Sequence, residues 1–230
     1  TLRTLFPYTT LFRSWSLDYL TVSKLPSIFK AQKDITKIEI DGRDGFLTQD
    51  DGSYKGIIKT VECWVKDLSY IDYLCNWLTG SSDVIFSNEP DRVYKATIIN
   101  QIQFDVVARD FHTFLIQFDC QPHKYAIDNN TIVLTSSGNV FNPAPTFSKP
   151  LIKIYGSGAI NLTINGNVIK LTNISGYVTI NSEMMDCYKD LQLMNNYMIG
   201  DFPSLISGNN IISWTGTVSK IEITPNFRYL

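Results

Sequence analysis

"GNNIISWTGTVSKIEITPNFRYL", Gly208 to Leu230, is the stretch on which the reading of the fold turns. It reads as two short strands around a turn, the second running straight into Pro225-Asn226-Phe227-Arg228. Trp214, inside "IISWTG", is expected to be a strand residue packed in a core rather than a ligand-stacking ring. The same character extends upstream. "TIVLT", "LIKIYG", "INLTING", "NVIKLTN" and "YVTIN" are short apolar runs at near-regular spacing, set among Asn, Gly, Ser and Thr. Ile164-Asn165-Gly166-Asn167 is the strongest hairpin signal, because Asn-Gly accepts the positive φ angles of a tight turn. Closely spaced strands without helical periodicity predict an antiparallel sandwich. "NPAPTFSKP", Asn142 to Pro150, reads as an extended connection that also protects a sheet edge.

Composition changes near residue 125. From there on six Lys/Arg face six Asp/Glu, whereas residues 15–124 carry twelve against sixteen. The first part also differs in pattern. Ile57, Val61, Cys63 and Val65 share one face of a strand, and Phe114, Ile116, Phe118 and Cys120 alternate in another. Val93, Lys95 and Thr97 mark a third, and Pro90 and Pro122 are expected to end runs because proline cannot donate into a ladder. One helix is predicted at about 67–79. Leu68, Ile71, Leu74, Cys75 and Leu78 form its apolar stripe, Asp67 its cap and Gly80 its stop. "TKIEIDGRDGFLTQDDGSYKG" contains three turn dipeptides, Asp41-Gly42, Asp44-Gly45 and Asp51-Gly52, with little apolar content to bury. It reads as a hairpin or an extended arm.

Bulk properties limit the function classes. The 230 residues are 44% hydrophobic, 18% charged and 13% aromatic, which suits a β-rich chain with extensive contact surface. A formal net charge of -2 offers no basic excess for nucleic acid. "TLFPYTTLFRS", Thr4 to Ser14, resembles the translation of a sequencing adaptor. Residues 1–14 are therefore read as foreign to the natural protein, with Trp15 its first genuine residue; without Arg3 and Arg13 the net charge is -4. Cys63, Cys75, Cys120 and Cys187 lack metal-ligand spacing and are expected to be buried free thiols.

Catalytic patterns are missing. His112 and His123 are too far apart for a helical zinc pair. There is no phosphate-cradling glycine loop and no nucleophile elbow. Glu183 and Asp186 are the carboxylate pair considered for glycoside hydrolysis, but loop acids are ordinary solubilising residues. No catalytic, cofactor or metal residue is assigned, and the expectation is a protein that is not an enzyme. Tyr177, Tyr188 and Tyr197 are candidate glycan contacts, since rings stack on sugar faces and tyrosine suits interfaces.

"GDFPSLISGNN…ITPNFRYL" resembles the C-terminus of siphophage distal tail proteins, the phage tail family of baseplate hubs. The carrying residues are Phe202, Pro203, Leu205, Gly208 and Asn210, then Pro225, Phe227, Arg228 and Leu230. Upstream, "IDGRDGFL", "NEPDRVYKA", "FDCQPHKY" and "GYVTINSEMMDCY" are similar to that family in order and spacing, while Pro-Asn-Phe-Arg departs from the commoner Pro-Arg-Trp-Arg ending.

The resemblance implies a mainly β fold. A tail-tube-like N-terminal β-domain with one packed helix, residues 15–127, would precede a galectin-like antiparallel β-sandwich, residues 128–230. It implies a structural virion protein located in the tail and assembled in the host cytoplasm. Six copies would close into a ring around a DNA channel, joining the tail tube protein to the tail tip protein. Tape-measure and receptor-binding proteins are further partners, without membrane insertion or cofactor. Arg43, Phe46, Leu47 and Tyr54 would belong to an arm that embraces a neighbouring subunit. Arg228 would anchor the last turn through carboxylate or carbonyl groups. The alternative is a glycan-binding baseplate module acting through the second domain.

Overall fold

The computed structural model describes residues 20–108 and 111–230; the reading of residues 1–14 and of Trp15 lies outside them. The chain divides into two compact units, one running up to Lys124 and including Leu230, the other Tyr125–Tyr229.

The first unit contains β1 (Thr21–Lys24), β2 (Lys33–Glu39), β3 (Phe46–Tyr54), β4 (Ile57–Val65), α1 (Ile71–Trp77), β5 (Ser81–Val84), β6 (Arg92–Ile98), β7 (Asp105–Ala108) and β8 (Phe111–Ala126). Five strands pair in the order β1-β4-β8-β6-β5, and β7 also pairs with β8. The expected alternation is present. Val61, Cys63 and Val65 of β4 and Phe114, Ile116, Phe118 and Cys120 of β8 are buried on the inner face. The helix is shorter than the stripe predicts. Asp67 accepts hydrogen bonds from Ser69 N and Oγ, both at 2.8 Å, starting a single 3-10 turn at Leu68–Tyr70 before α1. Leu74 and Leu78 bury against the sheet, and Gly80 at φ +90° stops the helix.

Two expectations are corrected in this unit. Cys75 is exposed, because only the Leu74/Leu78 side of so short a helix reaches the core; the other three cysteines are buried free thiols. Burial pushes Cys63 and Cys120 up to about 12, and Cys187 to about 11. Pro122 lies inside β8 rather than ending it. The ladder with β4 stops at Cys120, opposite Ile57, so the missing N–H costs no bond in that ladder.

The second unit contains β9 (Ile132–Leu134), β10 (Gly138–Asn142), β11 (Leu151–Ile164), β12 (Asn167–Asn181), β13 (Asp186–Lys189), β14 (Gln192–Leu193), β15 (Met198–Ile199), β16 (Gly208–Thr224) and β17 (Arg228–Tyr229). An antiparallel sheet orders them β10-β16-β11-β12-β13-β14, with β9 on β16 and β15 on β12. The stretch Gly208–Thr224 is one 17-residue strand, not two. Gly216, at φ +102°, lies where the register with β11 jumps from Asn161↔Thr215 to Ser157↔Thr217. Gly216 alone faces residues 158–160 of β11 there, so it lies opposite a bulge of β11 inside a continuous strand rather than in a turn that ends it. "LIKIYG" and "INLTING" likewise merge into β11, with breaks at Gly156 and Gly158. Bent this way, both halves of β11 bury their apolar residues in one core: Ile152 and Ile154 from one half, Ile160, Leu162 and Ile164 from the other. Each fully buried aliphatic side chain contributes roughly 1.5–3 kcal/mol. Asn165 (φ 50°) and Gly166 (φ 87°) form the predicted turn between β11 and β12. Trp214 is half-buried, packed against this core.

Candidate functional site: an exposed ribbon and its buried root

β2 and β3 form a two-stranded antiparallel ribbon separate from both larger sheets. Ile38 pairs with Leu47 and Glu39 with Phe46, and Gly42 and Gly45 take positive φ at the tip. Asp51-Gly52 is not a third turn. It forms a bulge within β3, where pairing jumps from Ile35↔Asp50 to Lys33↔Tyr54, and Asp50 Oδ1 accepts from Gly52 N at 2.9 Å. Lys33 pairs with Asp50 across the ribbon, and Lys37 Nζ lies 4.5 Å from the Phe46 ring centroid. Asp50 is held below the usual carboxylate range, first by the Lys33 hydrogen bond and then by Gly52.

Every residue of β2 is exposed, and so is every residue of β3 except half-buried Tyr54. Phe46 keeps 51% of its surface open, Ile38 42% and Leu47 41%, and Ile35 and Ile40 are exposed as well. Of the arm residues expected from sequence, Arg43 sits at the tip, its N–H donating to Ile40 O at 3.1 Å. Phe46 and Leu47 point to opposite faces of the ribbon, as strand neighbours must. Tyr54 is at the root, its ring edge-on to His123 at 5.8 Å. Ile38 and Ile40 mark the start of a strand in the sequence, whereas Ile35 was not singled out.

The root contains what sequence reading missed. Lys59 occupies an inner-face position of β4 and is fully buried. Its ammonium donates to Ser27 O at 3.0 Å and to Glu89 Oε2 at 3.3 Å, and lies 4.5 Å from the Tyr94 ring centroid. Glu89 also receives Lys124 Nζ at 2.5 Å and the Tyr94 hydroxyl. Burial pushes Lys59 below the ordinary lysine value, with Glu89 opposing the shift. Burial alone would raise Glu89, but the hydrogen bonds from Lys124 and Tyr94 outweigh it and hold its carboxyl low. A lysine in the inward phase between Ile57 and Val61 was the available signal.

The three candidate tyrosines of the second unit are half-buried. Tyr177 lies opposite Tyr155 on β11, with ring centroids 5.9 Å apart. Lys153 Nζ is 4.2 Å and Lys189 Nζ 5.3 Å from the Tyr177 ring, whose hydroxyl is bonded to Asp190. Tyr188 is cross-strand to Thr179, whereas Tyr197 packs against the core from a 3-10 turn. Glu183 accepts from Tyr125 Oη at 3.3 Å and Asp186 from Asn195 Nδ2 at 3.2 Å, so each has a structural partner. Among the described residues, no cluster of His, Cys, Asp and Glu could hold a metal, and no helix is long and apolar enough to cross a membrane.

Residues 14–120, which include the ribbon, Lys59 and Glu89, match the family described as the phage tail protein RIFT-related domain. No curated protein matches it. Among solved structures, it is similar to the SPP1 Dit (gp 19.1) protein, presented as a paradigm of the hub adsorption apparatus in phages infecting Gram-positive hosts. The TM-score is 0.70 at 19% identity, covering 93% of this chain and 95% of that one. The chain thus shares its fold with that protein over nearly its whole length and matches the phage tail domain over most of its first unit.

Proposed function

We propose that six copies close into a ring in which the β2–β3 arm of each lies on the next copy. The ring joins the tail tube to the tail tip and leaves an axial passage for DNA. The exposed arm is the observation that carries this reading. An isolated two-stranded ribbon is marginal in water, and this one shows Ile35, Ile38, Ile40, Phe46 and Leu47 to solvent. A neighbouring copy supplies the missing cover. Cyclic closure needs two different complementary faces per subunit, which an arm and its receiving surface provide. The acidic balance of residues 15–124 suits a channel through which DNA slides, since clustered Lys/Arg would hold phosphate. The tail tube and tail tip proteins are the axial partners, with tape-measure and receptor-binding proteins beyond them.

The test is the double variant Ile38→Asp, Leu47→Asp. It should leave the melting temperature unchanged, because both side chains are exposed, and abolish assembly measured by sedimentation. Assembly at the wild-type level would rule out the arm as the contact.

A second reading, glycan contact by the second unit, rests on the Tyr155–Tyr177 pair and its lysines. It is the weaker one, since Lys153 and Lys189 already lie against the Tyr177 ring. A glycan array with the full chain and its Tyr177→Ala variant tests it.

A further inference from the structure

The arm leaves the first unit through two short connections, residues 25–32 before β2 and residues 55–56 after β3. The first has no regular secondary structure. Pro26 and Ala31 are buried, while Ile28 and Phe29 between them are 59% and 46% exposed. Two side chains of the body hold this segment by its backbone. Lys59 Nζ donates to Ser27 O at 3.0 Å, and Asn88 Nδ2 donates to Pro26 O at 2.8 Å. Lys59 lies on β4, three residues beyond the exit connection, so it ties the arm's entry to its exit. Gln32 O accepts from Lys55 N at 2.8 Å and closes the base.

A lysine is a costly choice for this position. Its neighbours on the inner face, Ile57 and Val61, are aliphatic, and an ammonium taken out of water must be repaid by well-placed partners. Replacing a buried ion pair by apolar packing is often neutral or stabilising, so stability alone does not explain it. What an aliphatic residue at 59 could not do is hold a carbonyl of an irregular segment at a fixed place.

We infer that Lys59 and Asn88 are positioning residues for the arm. Through the Ser27 and Pro26 carbonyls they set the point and direction from which the ribbon departs, and with it the placement of Ile28 and Phe29. Glu89, itself held by Lys124 and Tyr94, keeps the Lys59 ammonium aimed. The role in assembly rests on the ring reading above; the holding of the root does not.

The experiment is hydrogen–deuterium exchange on the full chain carrying Ile38→Asp and Leu47→Asp, with and without Lys59→Met or Asn88→Ala. With the arm's contact face disabled, exchange reports the root itself. Lys59→Met should speed exchange in residues 25–32 at least tenfold while the centre of β8 stays protected. In the otherwise wild-type chain, it should also cut the yield of rings severalfold. A folded Lys59→Met protein with unchanged exchange over 25–32 overturns the inference. If that variant does not fold, Asn88→Ala decides: faster exchange over the same residues supports the inference and unchanged exchange overturns it. A wild-type chain that forms no rings would defeat the hub proposal and leave the exchange result standing.

Discussion

Asn165 Nδ2 donates to Asn210 Oδ1 at 2.7 Å, joining the tip of the β11–β12 hairpin to the start of β16. The contact is doubled on the backbone, where Asn165 N donates to Ile211 O at 3.0 Å and Ile211 N donates to Asn165 Oδ1 at 2.9 Å. Asn210 is fully buried, and its Nδ2 donates to Ile206 O, Gly208 O and Val140 O at 2.9, 3.0 and 3.2 Å. One amide thus organises the segment that follows Leu205. Asn210→Ala strands several of these partners away from water and should cost about 3 kcal/mol, read by thermal denaturation of the second unit. Asn165→Ala should cost less, and the two together less than their sum, because they share a bond.

Gly216 should be the least replaceable glycine of the second unit. It combines φ +102° with a Cβ direction that runs into Ala159 O. Gly216→Ala should destabilise the unit by about 3 kcal/mol. Gly158 has φ +79° but open space around it. Gly158→Ala should therefore cost only about 1 kcal/mol, the left-handed penalty alone. Equal melting temperatures for the two variants would contradict the role given to the close approach of Gly216 to Ala159.

Arg228 settles at carbonyl groups. Its Nε donates to Phe147 O at 2.8 Å, the guanidinium lies 4.3 Å from the Phe147 ring centroid, and Thr146 Oγ1 donates to Arg228 O at 2.5 Å. Burial lowers its pKa, with Glu183 opposing. Arg228→Lys keeps the charge but loses the planar donor. It should lower stability by about 1–2 kcal/mol, the value of one charged hydrogen bond, in chemical denaturation.

The first unit should lose stability in acid through Glu89. Its carboxyl is depressed in the folded state, so its contribution is present above the ordinary value of 4.5 and disappears as pH falls through the lower folded value. Lys59 acts in the opposite window. Its depressed folded value makes the folded state release its proton first, so its effect is a gain of stability at alkaline pH. In a Trp214→Phe background, tryptophan fluorescence follows the first unit. Its melting temperature should fall more steeply below pH 4.5 with Glu89 than with Glu89→Gln.

How much was legible in advance depended on how local the cause was. The alternation Phe114–Ile116–Phe118–Cys120 and the Asn165-Gly166 turn are written in neighbouring residues, and both appear as read. The two strands and turn read in Gly208 to Leu230 are one strand up to Thr224, because a glycine with positive φ serves a turn or a place opposite a bulge equally well. The register with Asn161 and Ser157, more than fifty residues away, decides between them. Lys59 was passed over because its partner Glu89 lies 30 positions further along and in no strand. The hairpin was legible in outline, since Asp41-Gly42 and Asp44-Gly45 mark its tip and the segment is poor in core residues. Which of its apolar residues would stand exposed was only partly legible, because exposure of Ile35 and Ile38 depends on the ribbon pairing only with itself and not with the larger sheets.

Electron microscopy of the purified full chain tests the central claim most directly. Closed annuli of six subunits with an open centre are the predicted result, lost in the Ile38→Asp, Leu47→Asp variant. Single subunits or open filaments at every concentration, in a protein with its fold intact, would contradict the account.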